Sequence, residues 1–382
     1  MIDGPLQLAF VVAAVVAVAF WLDRNVPALS KVGASLITIV IGAALSNLGL
    51  VPVSSPVYGI VTGPVTMLAI AWLLLAVNLS DLRKAGRPMV MAFGIALLGT
   101  ALGAFVGGLI FAATFGDESW RLAATLTGTF SGGSLNFVAV ASAVDLSDEI
   151  LAGTVAADNV MTAIWLGASL TLPLWLKRFY PTPIPVATPE EEEAELKHPF
   201  FHREPLSTLD LSILLAAGFA LVVLSEWVAG AWVGVGLPAI PSILWLTTFA
   251  LLAGHLTPLR DSVGAFQLGN LALHFFFVII GISSKFALIL EVGLAAFWFV
   301  ALVVGVHGVV VYGLGRLAKL DVATISVASQ AAVGGPSSAL AVAVAREWRG
   351  LVLPGVIVGL LGYAVGTYAG LTVGWLVRSV TG

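Results

Sequence analysis

The chain has no cysteine and little charge. Without cysteine there are no disulfides, no thiolate metal sites and no sulfur nucleophile. Asp, Glu, Lys and Arg together make up 10% of its 382 residues, against about 25% in a soluble globular domain. The familiar catalytic signatures are missing too: there is no H-E-x-x-H pair, no G-x-S-x-G elbow, no phosphate-binding loop and no dinucleotide fingerprint. No enzyme, no organic cofactor and no nucleic-acid partner is expected.

What the chain does have is apolar length. Hydrophobic residues make up 59% of it, and the mean hydropathy is +1.05. Apolar runs recur at 18 residues or more, the length that crosses roughly 30 Å of hydrocarbon. These runs predict an all-α polytopic membrane protein with spans near 6–22, 32–50, 57–78, 88–114, 150–176, 208–229, 239–256, 262–283, 292–315 and 351–376. The first run lacks a basic leader, so it reads as a retained span and not a cleaved signal.

Two glycine pairs interrupt the apolar pattern: Gly132-Gly133 in TGTFSGGSLNFVAVASA and Gly334-Gly335 in SQAAVGGPSSALAVAVA. They lie 202 residues apart, and the same offset matches Ala139 with Ala341, Val140 with Val342, Leu151 with Leu353 and Gly153 with Gly355. One structural unit therefore occurs twice. Each doublet segment, 121–144 and 322–345, follows the fourth span of its half. Each is either a further span or a re-entrant hairpin. An arm of ten residues at about 1.5 Å each reaches about half-way through a bilayer.

The distribution of basic residues decides between them. With hairpins, 14 of the 17 Lys and Arg residues fall on one side, leaving only Arg121, Lys285 and Arg378 on the other. With full spans the split is about 8 against 9, which is no bias at all. The expected fold is thus an inverted repeat, with five transmembrane helices plus one glycine-tipped re-entrant hairpin per half (10 spans and 2 hairpins). An odd number of crossings per half turns the second copy upside down. The repeats occupy 1–178 and 207–382. Between them, 179–206 is a cytoplasmic linker rich in proline and glutamate. Both termini then lie outside the cytoplasm of a bacterial inner membrane.

A broken helix in lipid exposes backbone groups that need partners. The arm ending at Ser131 offers carbonyls to a cation. The arm beginning near Ser134 offers N–H groups and a helix-dipole positive end to an anion. Gly132, Gly133, Ser134 and Asn136, with Gly334, Gly335, Ser337 and Ser338, are therefore the expected substrate-binding set. Asp158-Asn159 lies inside the fifth span, where a carboxylate marks an ion or proton path. Thr154 and Thr162 stand four residues to either side, on the same helix face. With Ser131 they form the expected coupling set, for Na⁺ or a proton; no other metal is expected.

Further polar residues carry open alternatives. Asn78, Ser80 and Asp81, and Ser283, Ser284 and Lys285, read as gate residues or helix caps. Gln330 precedes the second doublet. His274 and His307 lie within spans, as structural partners or proton carriers. His198 and His202 sit in the linker. Glu226, Trp227, Trp232 and Trp348 read as interfacial anchors.

The run GTFSGGSLNFVAVA, then AADNV, with GGPSSALAVA in the second half, resembles the DUF819 family of bacterial and plastid membrane proteins over nearly the whole chain. More distantly, the paired glycine hairpins are similar to those of 2-hydroxycarboxylate and glutamate–sodium symporters, and the Asp-Asn pair to cation–proton antiporters. That resemblance implies hairpin tips that hold anion and Na⁺, and a mobile core sliding against a fixed homodimer scaffold. The chain departs from the carboxylate symporters in having no arginine deep in a span, which favours a monoanion, a zwitterion such as an amino acid or short peptide, or a bare cation. The expectation is an ion-coupled symporter of a small organic solute; the alternative is a Na⁺/H⁺-type antiporter.

Overall fold

The computed structural model describes residues 2–30, 34–77, 82–180, 206–235, 237, 239–261, 263–283 and 286–381. Asn78, Ser80, Asp81, Ser284, Lys285 and the linker residues 181–205, with their two histidines, lie outside the described residues. Among the described residues all regular structure is helical. The first half comprises α1 (Pro5–Asn25), α2 (Ala34–Asn47), α3 (Pro56–Leu75), α4 (Leu82–Ile110), the pair α5 (Glu118–Thr129) and α6 (Ser134–Val144), and α7 (Asp148–Leu176). The second half comprises α8 (Thr208–Gly234), α9 (Ser242–Leu256), α10 (Ala265–Ser283), α11 (Phe286–Leu317), α12 (Val322–Ala345) and α13 (Val352–Thr381).

Nine of the described helices are long and apolar enough to cross a membrane. Eight coincide with expected spans; the ninth is α12, which is broken at Gly335. The remaining two expected spans, at α2 and α9, are shorter apolar helices. Local chemistry accounts for their ends. In α2 the Asn47 side chain bonds back to the Ala43 carbonyl, and Gly49 takes φ 71° in the turn that follows. Pro241 starts α9, and Thr257, in extended conformation, ends it.

Packing sorts the helices by their place in each half. The first three of each, α1–α3 and α8–α10, pack on one another, and the later ones, α4–α7 and α11–α13, do likewise. In the first body α2 and α10 meet backbone to backbone, with Gly42 on the Val278 carbonyl and Gly281 on Ile39. Trp72 in α3 donates its indole N–H to the Leu214 carbonyl of α8 at 2.7 Å. A separate apolar cluster, including Leu8, Val12, Val15, Tyr58 and Ile279, packs α1 against the start of α3 and α10, while the main core runs through both bodies. Fewer elements join the two bodies; α7 touches α2 and α10, and α6 and α13 each touch α3 and α9.

Candidate functional site

The first glycine doublet turns the chain back on itself. Ser134 in α6 follows α5 after four residues, and three observations show that the two helices run antiparallel. Arg121 at the start of α5 donates to the Asp145 carbonyl past the end of α6, at 2.5 Å. The Ser147 amide donates to the Glu118 carboxylate at 3.2 Å. Between these and the tip, Gly128 faces Asn136 and Val140. The turn needs Gly133 at φ 105°, ψ −163°, a conformation that side-chain-bearing residues rarely adopt.

The second doublet does the same. Val327 and Ala339, twelve residues apart in α12, both pack against position 355 of α13, so the arms fold back beside each other. Gly335 at the break has φ 75°, ψ −170°, close to the values of Gly133. In the first hairpin the second arm begins with the Ser134 and Leu135 amides, which have no partner inside their own helix; in the second it begins with Pro336, which has no N–H, and then Ser337.

α13 serves as a ruler along both hairpins. Its Gly355 faces Val327 and Ala339, and Gly359 lies on Pro336, all in α12. Gly362 then lies on Ser131 and Gly132, Gly366 on Asn136, and Gly374 on Trp120 and Ala124. The base of α12 is at one end of α13, the base of the α5–α6 hairpin is at the other, and their tips meet between Gly359 and Gly362. There Gly133 faces Gly334 and Gly335, and the Gly132 carbonyl lies against the Cα of Gly335. The two doublets that the sequence paired by offset are in contact.

The expected site residues divide at this crossing. Ser134 and Ser337, each just beyond its glycine, are exposed, and Ser338 is half-buried. The Ser338 hydroxyl and the Gln330 amide converge on Gly334, with the Gln330 Nε2 buried and lacking a hydrogen-bond partner. Gln330 accepts from Ser169 of α7 at 3.1 Å. Asn136 is fully buried, donating to the Gly362 carbonyl at 2.8 Å and accepting from Thr367 at 3.0 Å. The Ser131 hydroxyl bonds back to Thr127 O at 2.6 Å. Asn136 thus spends its side chain on holding the tip against α13, and Ser131 spends its hydroxyl on its own helix.

Asp158 belongs to α7. It is half-buried, ten residues in from Asp148 at the start of α7. Thr162 donates to it at 3.4 Å. Asn159 is occupied with its own helix, donating to the Val155 carbonyl at 2.8 Å. Thr154, on the Asp158 face one turn away, is fully buried, and its hydroxyl has no partner among the described residues. Trp165 meets Ser329, and Ser169 meets Gln330. That register places Asp158 about 10 Å beyond Trp165 along the axis, at 1.5 Å per residue.

A polar cavity of about 360 Å³ opens between the two bodies. One body supplies Ser55, Tyr58 and Thr62 from α3 and its approach, and Ser283 from α10; the other supplies Ser142, Asp145 and Asp148. Leu151 of α7 also lines it, two turns above Asp158 on the same helix face. The cavity was not legible in the sequence, where of its polar lining only Ser283 stands out, as a gate residue or helix cap.

The family model described as "Protein of unknown function (DUF819)" matches residues 10–380. This chain belongs to the DUF819 family. An uncharacterized membrane protein of Bacillus subtilis (strain 168), YjcL, is 29% identical to this DUF819 member over 369 residues, 94% of the chain and 93% of the relative. Among solved structures, the sodium proton antiporter MjNhaP1 from Methanocaldococcus jannaschii aligns over 99% of this chain and 100% of its own. Its sequence identity is 14% and its TM-score 0.46, too remote to carry a conclusion.

Proposed function

We propose that the protein is an ion-coupled secondary transporter of a small organic monoanion or zwitterion. In this reading the two hairpins dip from opposite faces of the membrane and carry the solute at their joined tips. The observation that supports it is the meeting of the two positive-φ glycines beside Gly359 and Gly362 of α13. In hydrocarbon such broken helices persist only where protein, water or a ligand satisfies the freed groups. The exposed Ser134 and Ser337 flank the second-arm amides, which suit a carboxylate.

Coupling is assigned to Asp158, with Thr154, Thr162 and Asn159 around it and Ser131 at the first tip. Na⁺ or a proton reaches Asp158 through the cavity above Leu151. The body of α4–α7 and α11–α13 is the moving core, and that of α1–α3 and α8–α10 the fixed scaffold of a homodimer. The inverted repeats 1–178 and 207–382, joined by the cytoplasmic linker 179–206, place both termini outside the cytoplasm of a bacterial inner membrane.

The alternative is Na⁺/H⁺-type antiport without an organic solute. It is favoured by the tight contact of Gly132 with Gly335 and Gly362, which leaves no solute-sized gap between the tips themselves. Proteoliposomes separate the two. With an imposed Na⁺ or proton gradient, symport predicts gradient-dependent accumulation of a labelled amino acid, peptide or monocarboxylate from a screened set. Sodium-driven lumenal pH change with no added solute identifies antiport and removes symport.

A further inference from the structure

His307, in the C-terminal half of α11, is fully buried and belongs to none of the groups assigned above. Its Nδ1 lies 3.0 Å from the Ala96 carbonyl and 2.9 Å from the Thr100 hydroxyl, both in α4. Thr100 in turn donates to the Phe130 carbonyl, at the tip of the α5–α6 hairpin, at 2.9 Å. On the ring's other side, Nε2 lies 2.8 Å from the Ser329 hydroxyl of α12, which accepts the Trp165 indole N–H from α7 at 3.0 Å. Trp165 also stands edge-on to the imidazole, at 5.7 Å between centroids.

The ends of this chain fix the direction of every bond in it. A carbonyl only accepts and an indole N–H only donates. Ala96 O therefore requires a hydrogen on Nδ1, and Thr100, its own hydrogen given to Phe130, accepts from the same N–H. Ser329, already accepting from Trp165, turns its hydrogen to Nε2. A neutral ring in the Nδ1–H tautomer satisfies all six groups, whereas the other tautomer sets a lone pair against Ala96 O. Because it terminates in an indole and in backbone carbonyls, the chain passes no proton from end to end. It is a strap and not a wire.

We propose that His307 is a positioning residue that ties the two hairpins to a single α4–α11 frame, so that both tips move together. Each half's own packing does not achieve this, since the strap joins Phe130 of the first hairpin to Ser329 of the second through helices of both halves. Its consequence for transport rests on the reading above; the strap itself does not.

The absence of cysteine makes spin labelling direct. Labels at Ser142→Cys and Val344→Cys, exposed positions on the two hairpins, report the distance between them by pulsed electron resonance. Labels at Val18→Cys and Leu252→Cys, on α1 and α9, report the other body. The wild-type background should give one narrow hairpin-to-hairpin distribution. His307→Ala should broaden it and shift its mean while leaving the α1–α9 distribution unchanged. If His307→Ala does not fold, Ser329→Ala removes a single hydroxyl and carries the same expectation. A hairpin-to-hairpin distribution that stays narrow overturns the proposal, and so does equal broadening of both pairs, which signals general loosening. Failure of wild-type transport would count against the transporter reading and leave this result standing.

Discussion

At the scale of single residues, the polar groups of the membrane interior follow two patterns. Asn136, Ser131, His307 and Trp165 have their hydrogen-bonding capacity taken up by neighbours, as buried polar groups must. Thr154 and the Gln330 amide do not, and a buried group without a partner costs about 1–3 kcal/mol. Capacity left open beside Asp158 and beside a hairpin tip is what a transported ion and solute would complete. Asp158→Asn keeps the shape and removes the charge. It should abolish gradient-driven transport while shifting the melting temperature little, as measured by uptake and thermal unfolding of one preparation. Full coupled activity in that variant would take Asp158 out of the mechanism.

At the scale of elements, α13 sets the arrangement because its glycines let two hairpins approach its backbone from opposite ends. Gly362 is where another backbone comes closest to α13, with the Ser131 carbonyl and Gly132 where a Cβ would stand. Gly362→Val should cost about 1–3 kcal/mol by overpacking, read as a lowered melting temperature and a loss of transport larger than the loss of folded protein. Gly167→Val in α7, where a Cβ meets nothing nearby, is the control. Much of this level was legible in the sequence. Gly132-Gly133 and Gly334-Gly335 announced two related breaks, and apolar runs located the spans, because period and punctuation are local signals. The role of Asn136 was not legible. Its partners Gly362 and Thr367 lie 226 and 231 residues away, and no periodicity encodes a contact between halves. The same holds for His307, which the sequence left open between structural partner and proton carrier; its bonds to Thr100 and Ser329 favour the first.

At the scale of the whole molecule, two packed bodies joined by fewer elements than pack within them suit relative motion, since packed cores have discrete arrangements and do not deform continuously. The cavity between Tyr58 and Ser142 lies on that seam. The partition cuts across sequence order, combining the first three helices of each half, so it became visible only when long-range packing was known. The central claim is that two related hairpins enter the membrane from opposite faces, and two single-cysteine variants test it most directly. Ser147 follows the first hairpin and Glu347 the second. In sealed vesicles of known orientation, a membrane-impermeant maleimide should label Ser147→Cys only from the extracytoplasmic side and Glu347→Cys only from the cytoplasmic side. Labelling of both from the same side would contradict the account.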